Sequence, residues 1–350
     1  MQPRDHEKRK DQHLDLAAKP SAQAQKPTGF DRVKLTHQAM PEIALADVCV
    51  RAPLLGREFA MPLMIGAMTG GTSRGDALNL ALAEAAQQSN IPLALGSQRT
   101  ALSADWAAEG SRKLRRHAPD AFLLGNLGGA QLVSETGFDM ARRAVEMIEA
   151  DALMIHLNPL QEAVQPNGNT DWRGLKDALA RLVDTLPVPV CVKEVGAGLS
   201  VQTIMSLYEC GVRHVELAGL GGTNWTRIEQ QRRDSAEDVF APFLDWGITT
   251  LEAVQAITPH RDALPGLVVI ASGGLHHGLD SAKAVWSGAD FTAAAGPFLT
   301  AALDLPHDKA VAALVEKLDI WKQQMAMACF LTGTSRISDL PQAAGQIITD

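Results

Sequence analysis

The chain has 350 residues, 46% of them hydrophobic and 21% charged, with a formal net charge of −8. That balance supports a sizeable buried core and excludes a disordered chain, and the acidic excess argues against broad affinity for nucleic acid or anionic membranes. The four cysteines, Cys49, Cys191, Cys210 and Cys329, have neither disulfide-framework nor zinc-knuckle spacing.

No apolar run approaches the roughly 20 residues that span a bilayer, and no apolar segment backs the basic residues of the first stretch as a secretory signal would require. A reducing cytoplasm is the expected setting. Residues 1–29 read as a polar arm with little periodicity, expected to stay mobile without a ligand, and 30–350 as one folded domain. Within the arm, Arg9-Lys10-Asp11-Gln12-His13 reads by composition as a solvated charge cluster, with an anion clamp as the alternative. Residues 30–60 form an irregular lead-in, with a hairpin expected around Leu55-Gly56-Arg57.

From Met61 a repeat takes over. Apolar strand candidates fall at 62–67, 92–95, 121–124, 152–155, 188–192, 212–217, 267–271 and 291–295. Helical periodicity lies between them, as at 76–88, 139–149, 172–186 and 201–210. Strands alternating with helices imply βαβ units and a parallel sheet, and eight units in about 250 residues suit a (β/α)8 barrel. A doubly wound sheet is the alternative, but its polar residues should gather at one switch point. Here they follow nearly every strand. A last helix over 308–332 should pack outside the barrel.

The strand ends carry the chemistry. The stretch 152–162, ALMIHLNPLQE, passes abruptly from a buried strand to His156, Asn158, Gln161 and Glu162. That is too much polarity for a loop that only turns a corner. Ala67-Met68-Thr69-Gly70-Gly71 offers small residues that let backbone N–H groups approach a ligand. Ser97-Gln98-Arg99 adds a guanidinium suited to a phosphate, and Asn126 is either a site amide or a turn former. Lys193, flanked by valines, needs an anionic partner if it faces the barrel mouth; a Lys–Glu pair at the strand edge is the plainer reading. Gly-rich loops follow strands six, seven and eight at 219–222, 273–274 and 296, the usual phosphate cradle of such barrels.

Taken together, RKDQH at 9–13, AMTGG at 67–71, GSQR at 96–99, HLNPLQE at 156–162, KEVG at 193–196, GGTNW at 221–225 and SGGLHHG at 272–278 resemble type 2 isopentenyl diphosphate isomerase, in that family's order. The resemblance extends to LTGTSRISDL near the C-terminus. It implies an FMN-dependent (β/α)8 barrel of isoprenoid biosynthesis that interconverts isopentenyl and dimethylallyl diphosphate without net redox change. It also implies Mg2+, flavin kept reduced with NADPH as the usual reductant, and assembly into tetramers or octamers.

Carried onto this chain, the resemblance places Ala67, Met68, Thr69, Ser97, Asn126 and Lys193 around the flavin. Thr223, Gly274, Leu275, His276, Ala295 and Gly296 would take its phosphate. Arg9, Lys10, Arg99, His156 and Asn158 would surround the substrate diphosphate, Glu162 would ligate Mg2+, and Gln161 would sit near the reacting carbons. Gln161, Lys193 and His156 are the residues implied to carry the chemistry. Two departures stand out: His276 where that family has Arg, and Pro166-Asn167-Gly168 where it has PEG. Neither is expected to touch Glu162 or Lys193. Three rivals remain: an FMN-dependent 2-hydroxy acid oxidase, an inosine-monophosphate-dehydrogenase-like barrel and a non-catalytic flavin- or phosphate-binding barrel. The second needs a loop nucleophile, and Cys191 and Cys210 fall in a strand and at a helix end.

Overall fold

The computed structural model describes residues 3–68, 70–103, 105–233 and 239–348; the side chains of 3–9 and 105–107 lie outside that description. Eight parallel strands close into a barrel: β1 (Leu63–Ile65), β2 (Leu93–Ala94), β3 (Leu123–Gly128), β4 (Ala152–His156), β5 (Val190–Lys193), β6 (His214–Glu216), β7 (Val268–Ser272) and β8 (Phe291–Ala294). They pair in chain order and β8 closes on β1. All eight apolar runs become barrel strands, because a strand buried on both faces has no polar positions to spend. The strand ends shift from the expected ones, and the largest shift carries β3 on to Gly128, so Asn126 is a strand residue and not a turn former.

Side-chain alternation sorts the barrel's two faces. Met64, Ala94, Leu124, Ala152, Met154, Cys191, Ile270, Phe291 and Ala293 form one interior cluster. Their neighbours Leu63, Ile65, Leu93, Leu153, Ile155, Val192, Val215 and Val269 pack outward with the helices. The expected hairpin is present, Ala52–Leu54 against Arg57–Phe59. Leu55 and Gly56 turn it with φ of 50° and 80°, the two left-handed residues that match strand twist in a two-residue loop. Its Phe59 packs edge-on against Phe122 and Phe291 at 5.3 and 6.2 Å, closing the N-terminal end of the barrel. The helix His307–Leu331 packs over Ser73–Gln88 and Gly278–Trp286, and its buried Trp321 donates Nε1–H to Ser281 Oγ (2.9 Å). Among the described residues no helix is long and apolar enough to cross a membrane.

The arm departs from its sequence reading. Pro3–Ala17 is a helix, and among its described side chains the buried ones are Lys10, His13, Leu14 and Ala17, spaced i, i+3, i+4, i+7. Two of those four are Lys and His, so the apolar stripe that marks a docked helix is missing from the sequence. Lys10 and His13 are buried, not solvated. Beyond the helix, residues 22–24 pair with the loop after β6: Ala24 N–H donates to Gly222 O (2.8 Å) and Asn224 N–H to Ala22 O (2.7 Å).

Candidate active site

The alternation that fills the barrel with apolar side chains continues upward into polar ones. Two residues beyond Met154 and Cys191 on the same faces stand His156 and Lys193, aligned in register with Glu216 of β6. Strand geometry alone therefore aims these three side chains into the C-terminal mouth. Two clefts meet above them.

The first, about 840 Å3 and open to solvent, is lined mainly by polar side chains. It collects Lys10, Ala67, Met68, Ser97, Arg99, Asn126, His156, Asn158, Gln161, Glu162 and Lys193. Asn158 begins the short helix Pro159–Val164, which puts Gln161 and Glu162 one turn further on along the same cleft. Asn158 Nδ2 donates to Gln161 Oε1 (3.1 Å) and Glu162 Oε1 (3.3 Å), while its own Oδ1 is buried with no partner among the described residues. A buried acceptor without a donor is uncommon in a native fold and marks a place for a ligand. Glu162 Oε2 accepts the Asn169 N–H at 2.7 Å. A Cβ built on Gly168 would lie 2.9 Å from the same oxygen and 1.9 Å from the Glu162 carbonyl. Residues 168–169 therefore brace Glu162, directly after Asn167, the position that departs from PEG.

His156 is fixed by Asn126. Asn126 Nδ2 donates to Leu95 O (2.8 Å), leaving Oδ1 to face His156 Nδ1 at 2.8 Å. On this network Nδ1 carries the proton and Nε2 presents a lone pair. Burial, then the charges of Lys193 and Lys10, push the imidazole down to about 3, so it is neutral at physiological pH. Lys10 Nζ donates to Ser97 O (2.9 Å) from the arm. Arg99 stands exposed at the rim. Gln98 turns the other way, accepting from Asn126 N–H (2.8 Å) and donating to Ala144 O (3.0 Å), and is structural.

The second cleft, about 610 Å3, lies over β6–β8 and is lined largely by Gly and Ala, whose small side chains leave backbone near its surface. Thr223, Gly274, Leu275, His276, Ala295 and Gly296 line it, and Ala67, Lys193, Val195 and Trp225 are shared with the first. Its glycines do two different jobs. A Cβ on Gly273 (φ 104°) would lie 2.0 Å from Gly219 O, and one on Gly274 (φ 75°) 2.1 Å from Gly221 O, so these residues let two loops interlock. A Cβ on Gly296 would meet nothing nearer than Thr223 Oγ1 at 3.9 Å and would protrude into the cleft. The side chain of His276 is exposed at the rim, and its backbone N–H donates to Asp280 Oδ2 (2.9 Å).

Lys193 does have a carboxylate partner, but not its sequence neighbour. Glu194 Oε2 accepts three backbone N–H groups, of Val195, Gly196 and Ala197, at 2.5–2.7 Å. The Lys193 ammonium instead donates to Glu194 O (2.6 Å) and lies 3.4 Å from Glu216 Oε1. Of the residues expected at the site, Thr69 and the Arg9 side chain lie outside the described residues. All the others border one cleft or both.

Sequence reasoning missed four residues: His13, Glu216, Trp225 and Glu229. Fully buried Glu229 lies 3.0 Å from His13 of the arm, accepts from Gln161 Nε2 (3.3 Å) and pairs with Arg232 (2.5 Å). Trp225 packs edge-on against His13 at 5.3 Å and walls both clefts. Only Glu216 had a usable signal, the polar alternation of His214 and Glu216 around Val215.

The FMN-dependent dehydrogenase family matches residues 12–117 and 130–346. The isopentenyl-diphosphate delta-isomerase of Stutzerimonas stutzeri (strain A1501) is 45% identical over 338 residues, covering 96% of this chain and 95% of that protein. Its counterpart in Cronobacter sakazakii (strain ATCC BAA-894) is 44% identical over 348 residues, covering 98% and 97%. A solved structure of mandelate oxidase with benzoyl-formic acid superposes with a TM-score of 0.64 at 15% identity, over 99% of this chain and 98% of that one. A flavocytochrome b2 mutant with benzoylformate gives 0.68 at 17%, over 91% and 76%. At those identities the two structures speak to the barrel alone. The full-length sequence matches carry more: this chain belongs to the FMN-dependent dehydrogenase family and, within it, to the isopentenyl-diphosphate delta-isomerases.

Proposed function

We propose that this protein interconverts isopentenyl and dimethylallyl diphosphate, with FMN in the backbone-lined cleft and the substrate diphosphate in the side-chain-lined one. The observation that carries the reading is the junction: Lys193, at the end of β5, borders both clefts and is buried there.

The residues present fit FMN. The open face of Gly296, with Thr223 beside it, leaves room for a phosphate against backbone N–H groups. Ala67, Met68, Ser97 and Asn126 would flank the ring, as would Thr69 on the sequence reading, with Lys193 toward its anionic edge. When bound and reduced, the flavin supplies an electron-rich ring able to exchange protons with the alkene. NADPH as reductant and a tetrameric or octameric assembly belong to the same reading.

The chain's own residues do the rest. Asn158 and Glu162 would take the diphosphate through a shared Mg2+, a hard cation that prefers carboxylate and phosphate oxygens. Among the described residues no group of three His, Cys, Asp or Glu side chains could enclose a metal. A cation at Glu162 would therefore depend on ligand oxygens. His156 Nε2 presents a lone pair, so an arriving anion would favour proton uptake there, turning an acceptor into a donor to the phosphate. Gln161, its amide held at one end by Asn158 and at the other by Glu229, orients the five-carbon chain and has no titratable proton to give. Trp225 and Met68 exclude water from a step that builds positive charge on carbon.

The arm closes the site. Lys10 reaches Ser97 O, His13 reaches Glu229, and Asp15 pairs with Arg74 at 2.6 Å. These contacts carry Lys10, with Arg9 beside it in sequence, over the diphosphate end, a lid in the sense of sequestering a bound anion.

The test is an assay of purified protein loaded with FMN, reduced with dithionite and given Mg2+ and isopentenyl diphosphate. Dimethylallyl diphosphate should form while the flavin stays reduced. A yellow protein that is inert under these conditions would favour the non-catalytic barrel, and flavin-coupled oxidation of a 2-hydroxy acid would favour the oxidase.

A further inference from the structure

Glu216 is a buried carboxylate that the isomerisation as read above does not use. It is 3% exposed at the end of β6, and Lys193 beside it is 6% exposed. Its Oε1 accepts from Ser272 Oγ (2.8 Å), and that hydroxyl in turn accepts the Ala218 N–H (3.0 Å), so the carboxylate is anchored to β7. From that anchor it lies 3.4 Å from Lys193 Nζ, beyond a good charged hydrogen bond, while Glu194 O holds the same ammonium at 2.6 Å. Its second oxygen, Oε2, is buried with no hydrogen-bond partner among the described residues, and the residue borders the backbone-lined cleft.

The other charges around the pair do not replace this contact. His156 on β4 is neutral, Glu194 is committed to three backbone N–H groups, and Lys10 approaches from the arm to Ser97 O. Among the described residues the one other carboxylate bordering the clefts is Glu162, in the first. A carboxylate is thus placed beside Lys193, the buried lysine shared by both clefts. An arrangement selected only to attract an anion would leave it out.

We infer that Glu216 is a positioning residue: it holds the Lys193 ammonium at the junction and takes up part of its charge, so the site favours anionic reduced flavin over oxidised flavin less strongly than Lys193 alone would. The inference rests on the reading that Lys193 faces the anionic edge of FMN. Removing the carboxylate charge while keeping an acceptor for Ser272 should release that restraint.

The experiment uses the full FMN-loaded chain and measures the flavin midpoint potential, together with dissociation constants for oxidised and reduced FMN. In Glu216→Gln, the preference for reduced over oxidised FMN should rise by about tenfold, equivalent to a midpoint about 30 mV more positive for a two-electron couple. Glu216→Asp, which keeps the charge, should stay near wild type. Lys193→Met should move the midpoint the opposite way. A Lys193→Met shift with no Glu216→Gln shift overturns this inference alone. If Lys193→Met shifts nothing either, the placement of Lys193 at the flavin fails as well. Should Glu216→Gln not fold, Ser272→Ala gives a second route. Loss of the hydroxyl frees the carboxylate to close on Lys193 and should lower the midpoint; an unmoved or raised midpoint overturns the inference.

Discussion

The two clefts are made of different material. Over β6–β8 the walls are largely Gly and Ala, and among the described residues Lys193 is the only Lys or Arg bordering that cleft. Over β2–β5 the walls are mostly Lys, Arg, His, Asn, Gln and Glu, several of them carried on a strand end, a short helix and the N-terminal helix. Backbone N–H groups bind a phosphate ester at nearly fixed geometry and without titration, which suits a resident cofactor. Side chains can neutralise, chelate and reorganise, which suits a substrate that comes and goes. The difference teaches which half should govern retention of flavin and which should govern turnover.

The comparison breaks most visibly at Glu162. Glu162→Gln should cost at least about 100-fold in turnover and abolish dependence on Mg2+, while absorption spectra show FMN retained. Wild-type turnover in this variant would remove the metal from the account. The glycines divide the other half. Gly274→Ala should lose FMN and also destabilise the fold by more than about 1 kcal/mol in urea melts, since its Cβ would strike the Gly221 carbonyl. Gly296→Ala should leave the melt unchanged yet weaken FMN binding by about tenfold, because its methyl enters only the cleft. Identical behaviour of the two alanine variants would mean that the cleft over β8 is not where the phosphate lies.

Deleting residues 1–12 should raise KM for isopentenyl diphosphate by about tenfold with FMN affinity unmoved, and an unchanged KM would refute the lid. The smallest effect concerns His156. Its folded pKa, about 3, lies below the ordinary value of 6.5. The unfolded chain therefore takes up a proton first as pH falls, so stability is full above about 6.5 and is lost progressively toward about 3. In His156→Gln the decline in melting temperature between pH 6.5 and 4 should be shallower by a few degrees. Parallel curves would show that His156 is not held neutral.

Much of this contrast was legible in the sequence, and for physical reasons. The strands of a parallel barrel are buried on both faces, so each announced itself as an apolar run, and polarity beginning at His156 located the mouth. The glycine loops were visible too, though not their division of labour, since interlocking of the loops after β6 and β7 is a tertiary event. Docking of the N-terminal helix was invisible because its buried face uses Lys10 and His13. Glu216 escaped because its partner Lys193 lies on the neighbouring strand, while the adjacent Glu194 is occupied by its own turn. The bracing of Glu162 by residues 168–169 depends on a chain reversal that no periodicity marks.

The central claim is an assignment of ligands to clefts, and a crystal structure of the reduced protein with FMN, Mg2+ and isopentenyl diphosphate tests it most directly. The FMN phosphate should lie against Thr223 and Gly296, with Lys193 at the ring and the diphosphate between His156, Asn158 and Glu162. A diphosphate seated over β6–β8, or a flavin ring out of reach of Lys193, would contradict it.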